Sequence, residues 1–175
     1  DLFSQLVEAG LACGLAVVVF LTRRTSMLTS WSRRELPLFL FCSTFGMMMM
    51  VSSTELLTFY LGLEFSAYPL YIIVALHRNP RFTTEGAAKY VLQGAVASAI
   101  ALYGISLLFG AAHSTYFAAI AAQAPQLVHQ PIFLIGLLLT LSGLLFKLAA
   151  FPFHFWAPDV YTSASHQVVA FIATS

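Results

Sequence analysis

Charged residues are scarce in this 175-residue chain. Only 9% of the residues are Asp, Glu, Lys or Arg, against about 25% in an ordinary soluble domain. Hydrophobic residues make up 59% of the chain, and the mean hydropathy is +0.85. A chain of this kind lacks the basic surface that binds nucleic-acid phosphates, so a nucleic-acid partner is not expected. Its main solvent is predicted to be the lipid bilayer.

Cysteine is also scarce, and the usual cofactor motifs are missing. Cys13 and Cys42 have no histidines at the spacing of a zinc or iron–sulfur site, so we expect neither a metal centre nor a disulfide framework. The sequence has no glycine-rich dinucleotide fingerprint and no phosphate-binding loop, so no nucleotide is expected to bind. The start does not resemble a removable signal peptide. Because the chain does not begin with Met and ends within an apolar run, we expect it to be a piece of a longer protein.

Long apolar runs dominate what is present. A helix that crosses the bilayer needs about 20 apolar residues, and strands are not needed to explain any segment. The sequence therefore predicts one all-α membrane domain, a bundle of transmembrane helices. The predicted spans are residues 5–21, 36–54, 56–76, 85–109 and 131–150, and another helix is predicted to begin at residue 165. The segments between them, including 110–130, are predicted to be connections.

Arginine is confined to alternate connections. The first and third connections carry six arginines, whereas the second and fourth carry none. Short cytoplasmic loops accumulate Lys and Arg, so the first and third connections are predicted to face the cytoplasm. The stretch after residue 150 is expected on the same side. The six residues are Arg23, Arg24, Arg33, Arg34, Arg78 and Arg81.

Glu64 is the ninth residue of the third predicted span. An ionisable side chain at that depth costs at least about 2.5 to 3.5 kcal/mol, so a partner must offset the cost. Tyr60, Tyr68 and Tyr71 follow the same helical stripe, which is predicted to face protein. Pro69 lacks an N–H and frees a carbonyl one turn earlier, where water can bind. Glu64 is therefore a candidate proton carrier; the alternative is a static ion pair that locks two helices.

Lys147 lies in the fifth predicted span and is followed by Pro152 and Pro158. The two prolines predict a helix that is broken near Pro152, and discontinuous helices of this kind line ion paths. If helical geometry continues across the break, His154 lies on the face of Lys147 and can exchange protons near neutral pH. In the alternative interpretation, Lys147 reaches the cytoplasmic surface along its alkyl chain.

Three further titratable residues are candidates. Lys89 lies about one turn inside the fourth predicted span, where it either snorkels to the surface or relays protons between the two buried charges. It follows Glu85 by four residues, the spacing of a helical ion pair. Asp159 and His166 lie near the predicted cytoplasmic mouth, as a proton entrance or as helix-end groups.

Small residues recur along the fourth predicted span. Gly94 and Ser98 have the small-xxx-small spacing that lets two helices approach closely. We interpret them as packing residues.

Two long motifs carry a family resemblance. The first is SSTELLTFYLGLEF, residues 52–65, and the second is GLLFKLAAFPFHFWAPDVY, residues 143–161. They resemble the antiporter-like, proton-translocating membrane subunits of respiratory complex I, and the HFW and PDVY runs are most similar to the subunit N branch of that family. The resemblance covers residues 36–175. One departure is the stretch 162–167, where the family has a Gly-Ala-Pro-Thr-Pro sequence, so the entrance beside His166 is expected to differ in shape.

The resemblance implies a fold, a site and partners. It implies the first of two inverted five-helix repeats, the third to the beginning of the eighth of roughly fourteen helices. It matches the family's proton-path residues to Glu64, Lys89 and Lys147. It also implies that the neighbours are other membrane subunits of complex I, and that NADH, FMN, iron–sulfur clusters and quinone are held by those partners and not by this chain. A bacterial inner membrane is favoured over the mitochondrial one.

The function expected on these grounds is proton translocation within NADH–quinone oxidoreductase, driven by quinone reduction elsewhere in the complex. The segment itself is expected to have no active site. Two alternatives remain open: an Mrp-type cation/proton antiporter subunit, and a structural subunit whose charges only fix helix packing.

Overall fold

The computed structural model describes residues 2–22, 30–75 and 80–174. Every regular secondary-structure element within these ranges is an α-helix, which confirms the predicted all-α class. Among the described residues, four helices are long and apolar enough to cross a membrane, and the apolar helix Pro131–Lys147 is shorter. The helices are α1 (Leu2–Thr22), α2 (Ser30–Ser52), α3 (Leu56–Ala75), α4 (Pro80–Ala112), α5 (Phe117–Leu127), α6 (Pro131–Lys147), α7 (Trp156–Ser163) and α8 (His166–Thr174).

Several helix ends differ from the sequence prediction. Helix α2 begins at Ser30 and not at residue 36, and α4 begins at Pro80 and not at residue 85. A proline fits the first turn of a helix because its missing N–H has no intrahelical partner there. Helix α6 ends at Lys147, three residues before the predicted end. Ala149 has a φ of 49°, a left-handed conformation that ends the helix.

The connection predicted for residues 110–130 contains a helix, α5. The loop prediction was wrong there. Five of the eleven residues of α5 are alanine, the residue with the highest helix propensity, and the helix forms although it contains Pro125. The prediction followed the lack of a long apolar run and ignored this propensity.

Glycines set the closest helix contacts. Helix α4 packs along α6, and α2 packs along α3. A Cβ atom added at Gly104 of α4 would lie 2.7 Å from the carbonyl oxygen of Gly136 in α6. A Cβ atom added at Gly62 of α3 would lie 3.0 Å from the carbonyl oxygen of Gly46 in α2. Because these residues have no side chains, the backbones of each pair approach directly.

The two connections without arginine lie together at one end of the bundle. The Leu56 N–H donates to the Thr115 carbonyl at 2.8 Å, and the Phe117 N–H donates to the Thr54 carbonyl at 3.2 Å. Their meeting is consistent with the predicted up-and-down arrangement of the spans. Arg23, Arg24 and Arg78 lie outside the described residues.

Glu55 links the two connections at this end of the bundle through hydrogen bonds. Its carboxylate accepts hydrogen bonds from Thr115 Oγ1 at 2.5 Å and from Thr58 Oγ1 at 2.8 Å. These two hydroxyls, Thr115 first, hold the pKa of Glu55 below its ordinary value of 4.5. A carboxyl whose pKa is lowered in the folded state stabilises the fold above its unfolded pKa, and this contribution is lost as the pH falls through the folded pKa.

We therefore expect Glu55→Gln to lower the melting temperature slightly at neutral pH, and this difference from the wild type to shrink as the pH is lowered below about 4.5. Thr115→Val is expected to raise the pKa of Glu55 and to move the same loss to higher pH. Thermal unfolding of the detergent-solubilised protein over a pH series measures both effects. A difference that stays constant down to about pH 3 contradicts the assignment.

Candidate functional site

Glu64 and Lys147 meet in the interior of the bundle. Glu64 lies in the middle of α3, Lys147 is the last residue of α6, and the Nζ–Oε1 distance is 3.6 Å. The Glu64 side chain is 9% exposed and the Lys147 side chain 19% exposed. The ammonium is directed at α3 and does not follow its own helix to the surface. Each ion thereby offsets part of the desolvation cost of the other.

Two hydroxyl groups complete this ion pair. Ser98 Oγ, from α4, donates to Glu64 Oε1 at 2.5 Å. Lys147 Nζ donates to the Tyr71 hydroxyl, from α3, at 3.0 Å. Three helices therefore contribute to one buried site of four polar side chains.

Sequence reasoning missed the role of Ser98, which was interpreted as a packing residue. The available signal was a serine in the middle of a membrane helix, because a buried hydroxyl needs a hydrogen-bond partner. Tyr71 was placed on the hydroxyl stripe of Glu64 but was not connected with Lys147.

The tyrosine stripe of α3 does not face one environment. Tyr60 is partly buried and donates from its hydroxyl to the Ser98 carbonyl at 3.2 Å, so it contacts α4 beside the ion pair. Tyr68 is 59% exposed, and its ring lies 6.1 Å from that of Tyr71. Tyr68 thus exposes much of its ring, while its hydroxyl still interacts with the Glu64 carboxylate, as its place on the stripe predicts. Pro69 is buried inside α3, one turn after Glu64.

The predicted helix break is confirmed. Helix α6 ends at Lys147, α7 begins at Trp156, and Pro152 lies in the turns between them. The indole N–H of Trp156 donates to the Phe146 carbonyl at 2.8 Å. That carbonyl belongs to the last turn of α6 and also accepts a hydrogen bond from the Ala149 N–H at 3.0 Å. Trp156 thus fixes the second half of the broken helix to the end of the first.

His154 does not continue the face of Lys147. Its side chain is exposed, and its ring lies 5.8 Å from that of Phe151. The same-face placement depended on helical geometry across the break, and that condition is not met, because the left-handed conformation of Ala149 redirects the chain.

Lys89 belongs to a second cluster, away from the ion pair. Its Nζ lies 2.9 Å from Glu85 Oε1 and 3.1 Å from Asp159 Oδ2, which links α4 to the first turn of α7. The helical ion pair with Glu85 was predicted from spacing and is confirmed. The structure does not place Lys89 between the two buried charges. The three side chains are 44% to 68% exposed, and ion pairs of that kind contribute about 0 to 1 kcal/mol each.

His166 and the two cysteines lie apart from the ion pair. His166 is the exposed first residue of α8. Cys13 is exposed, Cys42 is partly buried, and both are free thiols. Across residues 2–22, 30–75 and 80–174, no group of three or more His, Cys, Asp and Glu side chains is arranged to hold a metal ion.

Comparison with known proteins gives this geometry a context. Residues 53–175 match the family model described as NADH:quinone oxidoreductase/Mrp antiporter, transmembrane. The chain is 45% identical over 175 residues to NADH-quinone oxidoreductase subunit N 2 of Syntrophobacter fumaroxidans. That match covers 100% of this chain and 37% of the relative.

Solved structures share the fold. A chain of respiratory complex I from Thermus thermophilus, determined with bound aureothin, superimposes with a TM-score of 0.70 and 31% identity, over 97% of this chain and 44% of that one. A chain of the Mrp complex from Dietzia gives a TM-score of 0.77 at 21% identity, over 98% of this chain and 32% of that one. The second likeness concerns the fold alone.

Proposed function

Since the chain belongs to the NADH:quinone oxidoreductase/Mrp antiporter transmembrane family, we propose that it is the proton-translocating part of a subunit of the N type in respiratory complex I. It spans 37% of the length of its Syntrophobacter relative. The proposal therefore concerns the longer protein to which these helices correspond. The 45% identity to a subunit N favours this function over a cation/proton antiporter.

The observation that carries the proposal is the buried pair of Glu64 and Lys147, 3.6 Å apart. A nearby ammonium favours an ionised carboxylate, and its withdrawal favours protonation. A conformational change that separates the two ions can therefore load a proton on one group and release it from another, and the two groups titrate as a coupled unit. Such a pair suits proton transfer across an apolar interior.

The energy for this change is proposed to come from partner subunits. In this proposal NADH, FMN, iron–sulfur clusters and quinone act elsewhere in the complex, and this chain is a non-catalytic subunit that contacts other membrane subunits in a bacterial inner membrane. The 31% identical chain of Thermus thermophilus complex I supports this assignment.

The second cluster is proposed as the proton entrance. Lys89 and Asp159 connect α4 and α7 at the end of the bundle opposite the Glu55 contacts, and both side chains are partly exposed. His154, within the helix break, and His166, after it, are exposed titratable groups. They are proposed to exchange protons with water, whereas Glu64 and Lys147 carry them through the interior.

Glu64→Gln tests the proposal in the full-length protein within the assembled complex. We expect proton translocation per electron to fall by about two orders of magnitude or more, because the amide cannot exchange a proton as the carboxylate does. Acidification of inverted membrane vesicles during NADH oxidation measures it, and Glu8→Gln on α1 is a matched control that should leave the ratio unchanged. An unaltered ratio in Glu64→Gln rejects the proposal. Transport that responds to a sodium gradient without quinone reduction supports the antiporter instead.

A further inference from the structure

The ions of the buried pair are held by hydroxyls more closely than by each other. Lys147 Nζ lies 3.0 Å from the Tyr71 hydroxyl but 3.6 Å from Glu64 Oε1. The longer distance exceeds the usual limit of about 3.2 Å for an N–H···O hydrogen bond. On the other side, Ser98 Oγ donates to the same carboxylate oxygen at 2.5 Å. Each ion therefore has a neutral partner of its own.

Gly94 provides the space for this arrangement. A Cβ atom added at Gly94 would overlap the Tyr71 hydroxyl and would lie 2.7 Å from the ring carbon that carries it. Ser98 follows Gly94 by four residues and so lies on the same face of α4. Gly94 thus leaves room for the Tyr71 hydroxyl, which accepts from the ammonium. Ser98 supplies the hydroxyl that donates to the carboxylate.

An aromatic stack fixes the Tyr71 ring. It forms a T-shaped pair with Tyr90 at a centroid distance of 4.6 Å, and Tyr90 stacks on Trp156 at 4.8 Å with an interplanar angle of 12°. Trp156 donates in turn to the carbonyl of Phe146, the residue before Lys147. The contacts therefore form a continuous chain from the backbone beside Lys147 to the Tyr71 hydroxyl, which accepts the hydrogen bond of the Lys147 ammonium.

We propose that Tyr71 and Ser98 are positioning residues that stabilise the separated state of the Glu64–Lys147 pair. This inference rests on the proposed function. A buried charge that loses its counter-ion has a large free-energy cost. Here the ammonium keeps Tyr71 and the carboxylate keeps Ser98 when the ions move apart, so separation costs less than it would for a directly bonded pair. The two hydroxyls control the rate of transfer and not the identity of the proton carriers.

Tyr71→Phe and Ser98→Ala test this in the full-length protein within the assembled complex. Each is expected to slow proton translocation about fivefold, as the loss of one hydrogen bond predicts, with the KM for quinone unchanged. Ser98→Thr restores the hydroxyl and should recover the rate. The matched controls are Tyr103→Phe, at an exposed position of α4, and Ser142→Ala, whose hydroxyl bonds to its own helix.

Infrared difference spectra give a readout that a packing role would not change. The carboxyl stretching band of Glu64, assigned by its absence in Glu64→Gln, should shift in Ser98→Ala and stay in place in Ser142→Ala. Wild-type rates and an unshifted band in Tyr71→Phe and Ser98→Ala, in a complex that Glu64→Gln inactivates, overturn the positioning role and leave the proposed function standing. If Glu64→Gln itself pumps at the parental ratio, the proposed function fails.

Discussion

Replacing Lys147 with Met is expected to abolish proton translocation and to destabilise the helix bundle, whereas the double variant Lys147→Met/Glu64→Gln is expected to regain stability without regaining translocation. Methionine keeps the length of the lysine stem but carries no proton. The single variant leaves the Glu64 carboxylate buried, at 9% side-chain exposure, with neutral hydroxyl partners such as Ser98 and no counter-ion.

The expected magnitudes follow from the burial of the pair. Removing one partner of a buried ion pair costs about 3 to 5 kcal/mol, because the other charge is left uncompensated, whereas replacing both partners with neutral groups is often close to neutral. The single variant should therefore lose assembled complex or melt well below the wild type, and the double variant should recover most of that loss. Translocation should fall by about two orders of magnitude or more in both, since a positioned acid or base contributes about that much.

Melting temperature, the yield of assembled complex and the proton-to-electron ratio distinguish these effects. If the pair is purely structural, the double variant should recover in all three measurements. If the pair carries protons, the double variant should recover its melting temperature and its yield of assembled complex, but not its proton-to-electron ratio. If Lys147→Met assembles normally and pumps at the wild-type ratio, Lys147 does not lie on the proton path.

The two buried ions could be identified from the sequence because depth in a membrane span is readable from chain position. Glu64 and Lys147 stand inside apolar runs, where the cost of burial singles out an ionisable residue. Their mutual contact was not derivable, since spacing along one helix does not state which residue of another helix lies opposite. The same limit explains Lys89, whose depth was estimated but whose partners, Glu85 and Asp159, depend on where α7 packs.

The irregular segments were the least predictable part of the fold. Prolines indicated that the helix breaks after Lys147, but the direction of the chain depends on the left-handed conformation of an ordinary alanine, Ala149. An alanine in the sequence does not predict that conformation, because alanine rarely adopts it. His154 is therefore not on the face that continued helical geometry would give it. Likewise Ser98 looked like a packing residue because small side chains suit close helix contacts whether or not their hydroxyls have a second role.

Gly104→Ala is expected to destabilise the protein, whereas Gly110→Ala in the same helix is expected to stabilise it slightly. A Cβ atom at Gly104 would lie 2.5 Å from the Thr140 nitrogen and 2.7 Å from the Gly136 carbonyl oxygen, both backbone atoms of α6. Backbone cannot rotate away as a flexible side chain can, so the helices must separate, at about 1 to 3 kcal/mol. No atom lies within 4 Å of a Cβ added at Gly110, so alanine there gains about 0.5 to 1 kcal/mol of helix propensity.

The pair of substitutions also connects packing with proton transfer. Helix α4 carries Ser98 and helix α6 ends at Lys147, so the distance set at Gly104 fixes how the partner of Glu64 is aligned with the ammonium. Thermal unfolding of the two variants should give shifts of opposite sign, and proton translocation should fall in Gly104→Ala alone. Equal melting temperatures for both variants contradict the close α4–α6 contact. A destabilised Gly104→Ala with wild-type translocation shows that the site tolerates a wider spacing between α4 and α6.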